Sequence, residues 1–133
     1  MRPDGVSPGG RPYRIAICDD RKFDVSELKL FLSSRGFYVQ SFENGRLLAD
    51  HVKGKPGDFD LVILDIAMPV LDGYAAFFEM RDSGRMSKIL FYSVENTPAV
   101  IRHVLENGAS DYVTRPCKKE DLLERIKTVV AKP

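Results

Sequence analysis

The chain has little of what would send it to a membrane, a nucleic acid or an oxidising compartment. No apolar run in the sequence approaches the roughly 18 residues that a membrane span needs. Met1 to Pro12 lack the apolar centre of a secretory signal. The formal net charge is only +1, which gives no large field to steer the protein to nucleic acid or to an anionic membrane. There are two cysteines, Cys18 inside an apolar run and Cys117 after a proline, with no CxxC spacing and no histidine cluster beside either. They read as free thiols in a reducing compartment, and the expected location is the cytoplasm. Internal repeats are absent.

What is present describes an ordinary soluble globule, 44% apolar and 29% charged. Its 133 residues suit one domain and leave no room for a second. Residues 1–12 hold three prolines and three glycines with hardly any apolar content, so they are expected to form a disordered leader. The folded domain is expected over 13–133.

From Tyr13 onward, short apolar runs alternate with helical patterns. Strands are expected at Arg14–Cys18, Phe37–Phe42, Asp60–Asp65, Lys88–Ser93 and Asp111–Thr114. The third of these is almost wholly apolar, as a central strand covered on both faces should be. Helices are expected at about Asp24–Arg35, Arg46–Lys53, Gly73–Asp82, Pro98–Asn107 and Lys119–Ala131. Asp24 and Glu27 resemble a capping box for the first helix, and Asp72 is placed to cap the third. Such alternation implies an α/β fold, a parallel sheet wrapped on both sides by right-handed crossovers.

In that fold, functional groups gather beyond the carboxyl ends of the strands. Asp19 and Asp20 follow the first strand, and Asp65 follows the third. One acid after a strand is usually a helix cap. An adjacent pair is harder to explain so, since one cap needs one side chain, and Asp65 adds a third acid to the same volume. Such a group suits Mg2+, a small ion that takes oxygen ligands. Without a cation the carboxylates repel and at least one pKa rises. Ser93 ends the fourth strand, next to the third, and Arg115-Pro116 follows the fifth. A nucleophilic carboxylate, a metal cage, a hydroxyl and a fixed positive charge are the parts needed to move a phosphoryl group.

Five ordered motifs carry a family resemblance. They are Asp19-Asp20, the run Leu64-Asp65-Ile66-Ala67-Met68-Pro69, Asp72-Gly73, the hydroxyl in Phe91-Tyr92-Ser93, and the stretch Gly108 to Pro116. Together they resemble the receiver domain of bacterial two-component response regulators, over about Tyr13–Lys132. The resemblance implies a flavodoxin-like, doubly wound (βα)5 domain with strand order 2-1-3-4-5. It implies that Asp65 accepts a phosphoryl group from a sensor histidine kinase, a histidine phosphotransfer protein or a small donor. Mg2+ would be held by Asp19, Asp20, Asp65 and the backbone carbonyl of Ala67. Ser93 and Tyr112 would form the switch, and the surface of the fourth helix, fifth strand and fifth helix would meet a downstream protein or a second copy. Such a domain catalyses only its own phosphorylation and dephosphorylation.

The sequence departs from that pattern at Arg115, where the family has lysine; phosphorylation is expected to survive with altered conformational coupling. Val94 follows the switch hydroxyl where the family usually has something small, and is expected to slow loss of phosphate. His51 and His103 read as surface histidines, with no carboxylate partner suggested by spacing. No nucleic-acid output domain is expected within this chain; if this length is natural, the signal would leave through a protein contact or an onward phosphotransfer, and in a fragment the missing part would decide the output. The main alternative is a receiver-like scaffold that is never phosphorylated, for which Arg115 is the support. A phosphatase built on an aspartyl nucleophile would need an acid at position 67, which is alanine. A flavin role lacks a phosphate-cradling loop after the first strand.

Overall fold

A computed structural model describes residues 2–84 and 86–133. Among these residues strands and helices alternate as β1 Arg14–Cys18, α1 Lys22–Ser34, β2 Tyr38–Phe42, α2 Gly45–Gly54, β3 Leu61–Leu64, α3 Gly73–Asp82, β4 Ile89–Ser93, α4 Pro98–Glu106, β5 Asp111–Thr114 and α5 Lys119–Ala131. The strands are all parallel, in the order β2-β1-β3-β4-β5. The fold is the expected flavodoxin-like one.

Alternation along each strand divides the core into two layers. Ile15, Ile17, Leu61, Ile63, Leu90 and Val113 face α1 and α5, meeting Leu28, Leu32, Leu122 and Ile126. Ala16, Cys18, Val62, Leu64, Ile89 and Phe91 face the other way, against Leu48 and Val52 of α2, Phe77 and Met80 of α3, and Val104 of α4. β3 is buried along its whole length, so its backbone is held from both sides and the residue that follows it has little freedom.

Helix ends follow local chemistry. The Asp72 side chain accepts the N–H of Ala75 at 2.7 Å and caps α3, and Asn44 does the same for α2 through Leu47 at 2.9 Å. The proposed capping box on α1 is not formed. That helix starts two residues earlier, with Arg21 as its N-cap and no side-chain cap bond, so Asp24 lies in the first turn.

Contrary to the expectation of a disordered leader, residues 2–12 carry ordered contacts. Val6 and Pro12 form an isolated antiparallel bridge. Gly5 donates its N–H to Arg35 O at 2.8 Å and accepts from Tyr13 N at 2.7 Å. A side chain at Gly5 would strike the backbone of Phe37, its Cβ only 2.2 Å from the nitrogen. Arg11 forks onto Asp60, with Nη2 to Oδ1 at 3.0 Å and Nη1 to Oδ2 at 3.2 Å. Polar and glycine-rich composition therefore marks a segment that is held by backbone bonds and ion pairs instead of an apolar core.

His51 also differs from expectation. Its Nε2 lies 2.7 Å from Asp58 Oδ2, seven residues away across the turn after α2. Helical spacing cannot show a partner that the chain reaches by turning back. The imidazole bond is the main reason the Asp58 carboxyl lies below its ordinary pKa. The His103 ring stacks on Tyr74 and lies tilted against Phe78.

Candidate phosphoacceptor site

Strand register assembles the site. Cys18 pairs with Leu64, so Asp19 and Asp65 leave the sheet side by side, and Asp65 N donates to Cys18 O at 3.0 Å. Ser93 pairs with Thr114, and Arg115 N donates to Ser93 O at 2.9 Å. The peptide between Arg115 and Pro116 is cis. These four residues come from four strand ends and converge on one crevice.

Asp19 and Asp65 are each 4% exposed and Ser93 is fully buried, whereas Asp20 is open to solvent. One carboxylate oxygen from each of Asp19, Asp20 and Asp65 can be chosen so that all lie within 4.8 Å of one another. Opposite ligands of an octahedral Mg2+ with bonds of about 2.1 Å are about 4 Å apart. Adjacent ligands are about 3 Å apart, so side-chain movements of up to about 2 Å bring the three oxygens onto one ion, and the all-oxygen, all-anionic donor set suits that metal. The residues fit.

Two guanidinium groups balance the acids. Arg115 Nη2 donates to Asp19 Oδ2 at 2.8 Å, and its guanidinium carbon lies 4.1 Å from the centre of the Tyr92 ring. Its Nη1 is buried with no hydrogen-bond partner among the described residues. A buried donor without an acceptor costs free energy, which a bound anion would offset. The second group is Arg21, whose Nη2 lies 3.4 Å from Asp65 Oδ2 and 3.5 Å from Asp19 Oδ2. Sequence reasoning missed Arg21, although a cation directly after an acid pair was a visible signal.

Burial is the main force on Asp65 and raises its pKa above the ordinary carboxylate value; the charge of Asp19 acts in the same direction. The Ser93 hydroxyl, Arg21 and the Ile66 N–H oppose the rise. The last of these donates to Asp65 Oδ1 at 2.8 Å, which leaves Oδ2 turned to the crevice. Gly73 opens α3 directly against this backbone. A Cβ there would lie 1.8 Å from Asp65 O, so any side chain would displace the acid.

Tyr112 is buried, and its hydroxyl donates to Glu95 O at 2.6 Å. Its ring stacks on Phe91 at 5.6 Å. Glu95 N in turn donates to Ser93 Oγ at 3.2 Å, so the serine, the β4–α4 loop and the tyrosine are linked in series. Val94 is 59% exposed and lines a cavity beside Arg21 and Arg115. No helix among the described residues is long and apolar enough to cross a membrane.

The model of the response regulator receiver domain matches residues 15–127. The chemotaxis protein CheY of Treponema pallidum is 30% identical over 129 residues, covering 96% of this chain and 90% of that protein. The transcriptional regulatory protein PcoR of Escherichia coli is 31% identical over 118 residues, 88% of this chain but 51% of its own length. Among solved structures, a chain of the CheX-CheY-BeF3-Mg+2 complex from Borrelia burgdorferi superposes with a TM-score of 0.91 at 25% identity, covering 99% of this chain and 100% of that one. The non-phosphorylated HemR receiver domain from Leptospira biflexa, at 21% identity, shares the fold with a TM-score of 0.84 over 91% of this chain and 96% of that one. With its sheet order, its three acids and a family match spanning β1 to α5, the chain belongs to the response regulator receiver domain family.

Proposed function

We propose that this receiver domain is a phosphorylation-controlled switch in which Asp65 takes a phosphoryl group from the phosphohistidine of a sensor histidine kinase or a histidine phosphotransfer protein. The observation that carries the reading is the position of Asp65 Oδ2, free of backbone bonds and grouped with Asp19 and Asp20. Oδ2 attacks phosphorus, the bond from phosphorus to the donor nitrogen breaks, and the electron pair leaves with the imidazole. An aspartyl phosphate results.

Asp19, Asp20, Asp65 and the carbonyl of Ala67 would hold Mg2+, which when bound offsets the negative charge of the phosphoryl oxygens. The Mg+2 and BeF3 present in the related Borrelia complex support that assignment. The chain's own residues do the rest. Arg115 has a free buried donor for a phosphoryl oxygen, and Ser93, at the end of the strand beside that of Asp65, has a hydroxyl that would turn to bond the phosphoryl group. Moving the serine hydroxyl disturbs its bond to Glu95 N, and through Glu95 the bond from Tyr112. That series of bonds couples a local charge to the α4-β5-α5 surface, where a downstream protein or a second copy would bind. No step requires nucleic acid or membrane.

Labelling with a small phosphodonor tests the reading. Wild-type protein is expected to gain one phosphoryl group in Mg2+ and none in chelator, and Asp65→Asn none in either. A scaffold that is never phosphorylated would stay unlabelled throughout.

A further inference from the structure

We propose that Arg21 is the resident counter-ion of the acidic crevice, and that a divalent cation enters by displacing its guanidinium toward Asp24. The inference rests on the reading of Asp19, Asp20 and Asp65 as a Mg2+ site, and extends it to how that site is filled.

Asp65 Oδ1 accepts the Ile66 N–H at 2.8 Å, so Oδ2 is the oxygen available to a cation. Arg21 Nη2 is 3.4 Å from that atom. On Asp19, Oδ1 accepts the Arg21 N–H at 3.0 Å, and Oδ2 faces both Arg115 and Arg21. A metal ion bonded to these acids must use oxygens that Arg21 now faces. Two positive groups cannot share them without strong repulsion in a half-buried site.

Of the two arginines, Arg21 is the one able to leave. Its side chain is 40% exposed, against 11% for Arg115. Arg115 is fixed between Asp19 and the Tyr92 ring. Arg21 reaches in from solvent at distances of 3.4–3.5 Å, longer than strong charge-assisted bonds of about 2.7–2.9 Å. An alternative partner is already near, since Arg21 Nε is 3.7 Å from Asp24 Oδ2 in the first turn of α1. A cavity of about 330 Å³, lined by Arg21, Asp24, Glu27 and Tyr92 among others, gives the side chain room to move. Charge bookkeeping agrees: three carboxylates and two guanidiniums leave the crevice at −1, and adding Mg2+ with both arginines in place would make it +1. Moving Arg21 out returns the site to balance.

The test is Mg2+ titration by calorimetry on the full chain, for wild type, Arg21→Gln, Asp24→Asn and the double variant, with melting temperatures in chelator and in Mg2+. Arg21→Gln is expected to bind Mg2+ about tenfold more tightly. It should melt lower than wild type in chelator, because the acids have lost their counter-ion, and gain more on adding Mg2+. Asp24→Asn should bind a few-fold more weakly, and that loss should shrink in the Arg21→Gln background, since the two side chains act as a pair. Equal or weaker Mg2+ binding by Arg21→Gln, with wild type binding normally, overturns the displacement and leaves the metal site standing. Failure of all four proteins to bind Mg2+ removes the metal site, and the displacement with it.

Discussion

Val70 is the non-glycine residue with a positive φ among the described residues, and it lies five residues beyond Asp65. Its φ is 70°, a left-handed conformation that β-branched side chains strongly disfavour, and it is 77% exposed, so no packing repays the cost. Asparagine tolerates that conformation. Val70→Asn is therefore expected to raise the unfolding free energy by about 1 kcal/mol, read from the midpoint of chemical denaturation. An unchanged or lowered midpoint would show the valine to be unstrained. Arg115 is the other residue whose identity matters. Its planar head bonds Asp19, covers the Tyr92 ring and keeps one donor free. Those are things a planar fork does and a compact ammonium does differently. Because the positive charge persists in either form, wild type and Arg115→Lys should accept phosphate from a small donor at rates within about tenfold, a difference of ~1.4 kcal/mol. Labelling of the lysine variant alone would contradict this.

Between elements, α2 and α3 are tied by an ion network at their outer faces. Arg46 forks onto Glu79 at 2.6 and 2.8 Å, Lys53 reaches the same carboxylate at 2.9 Å, and Arg46 also meets Asp50 at 2.8 Å. The bonds from Arg46 and then Lys53 lower the Glu79 pKa to about 2, from an ordinary 4.5. A depressed folded-state pKa means that this stabilisation is complete above the unfolded value and disappears as pH falls through the folded one. The melting temperature of wild type should therefore exceed that of Glu79→Gln at neutral pH. The gap should close between about pH 4.5 and 2. Exposed pairs of this kind contribute about 1 kcal/mol or less, and added salt should narrow the gap too. A gap independent of pH would assign the effect to packing.

The elements themselves were largely legible in the sequence, because alternating apolar runs and 3.6-residue spacing are local signals. β5, α3 and α5 fall where periodicity puts them. The start of α1 did not, because Asp24 and Glu27 have the spacing of a capping box yet form none; the helix begins at Lys22, after Arg21 as its N-cap. The acids of the site were readable for a similar reason, Asp19 and Asp65 each being the first residue beyond an apolar run and Asp20 the next. The His51–Asp58 pair was not, since it depends on a turn that brings the two together, and the reach of Arg21 to Asp65 depends on two strand ends meeting.

At the scale of the whole molecule, the two ends of the sheet have different tasks. The end where the strands begin is closed by residues 2–12, through Gly5 to Arg35, Arg11 to Asp60 and Asp4 to Lys127 at 3.2 Å. The end where they finish gathers Asp19, Asp65, Ser93 and Arg115 into one crevice. Polar ties from residues 2–12 lie at one end and the acidic cluster at the other. The central claim is that the second end accepts a phosphoryl group at Asp65. Peptide mapping by mass spectrometry, after incubation with a phosphodonor and borohydride trapping of the acyl phosphate, tests it most directly. The modification should appear at Asp65 alone, and only when Mg2+ is present. Modification at another residue, or the same yield at Asp65 in chelator, would contradict the account.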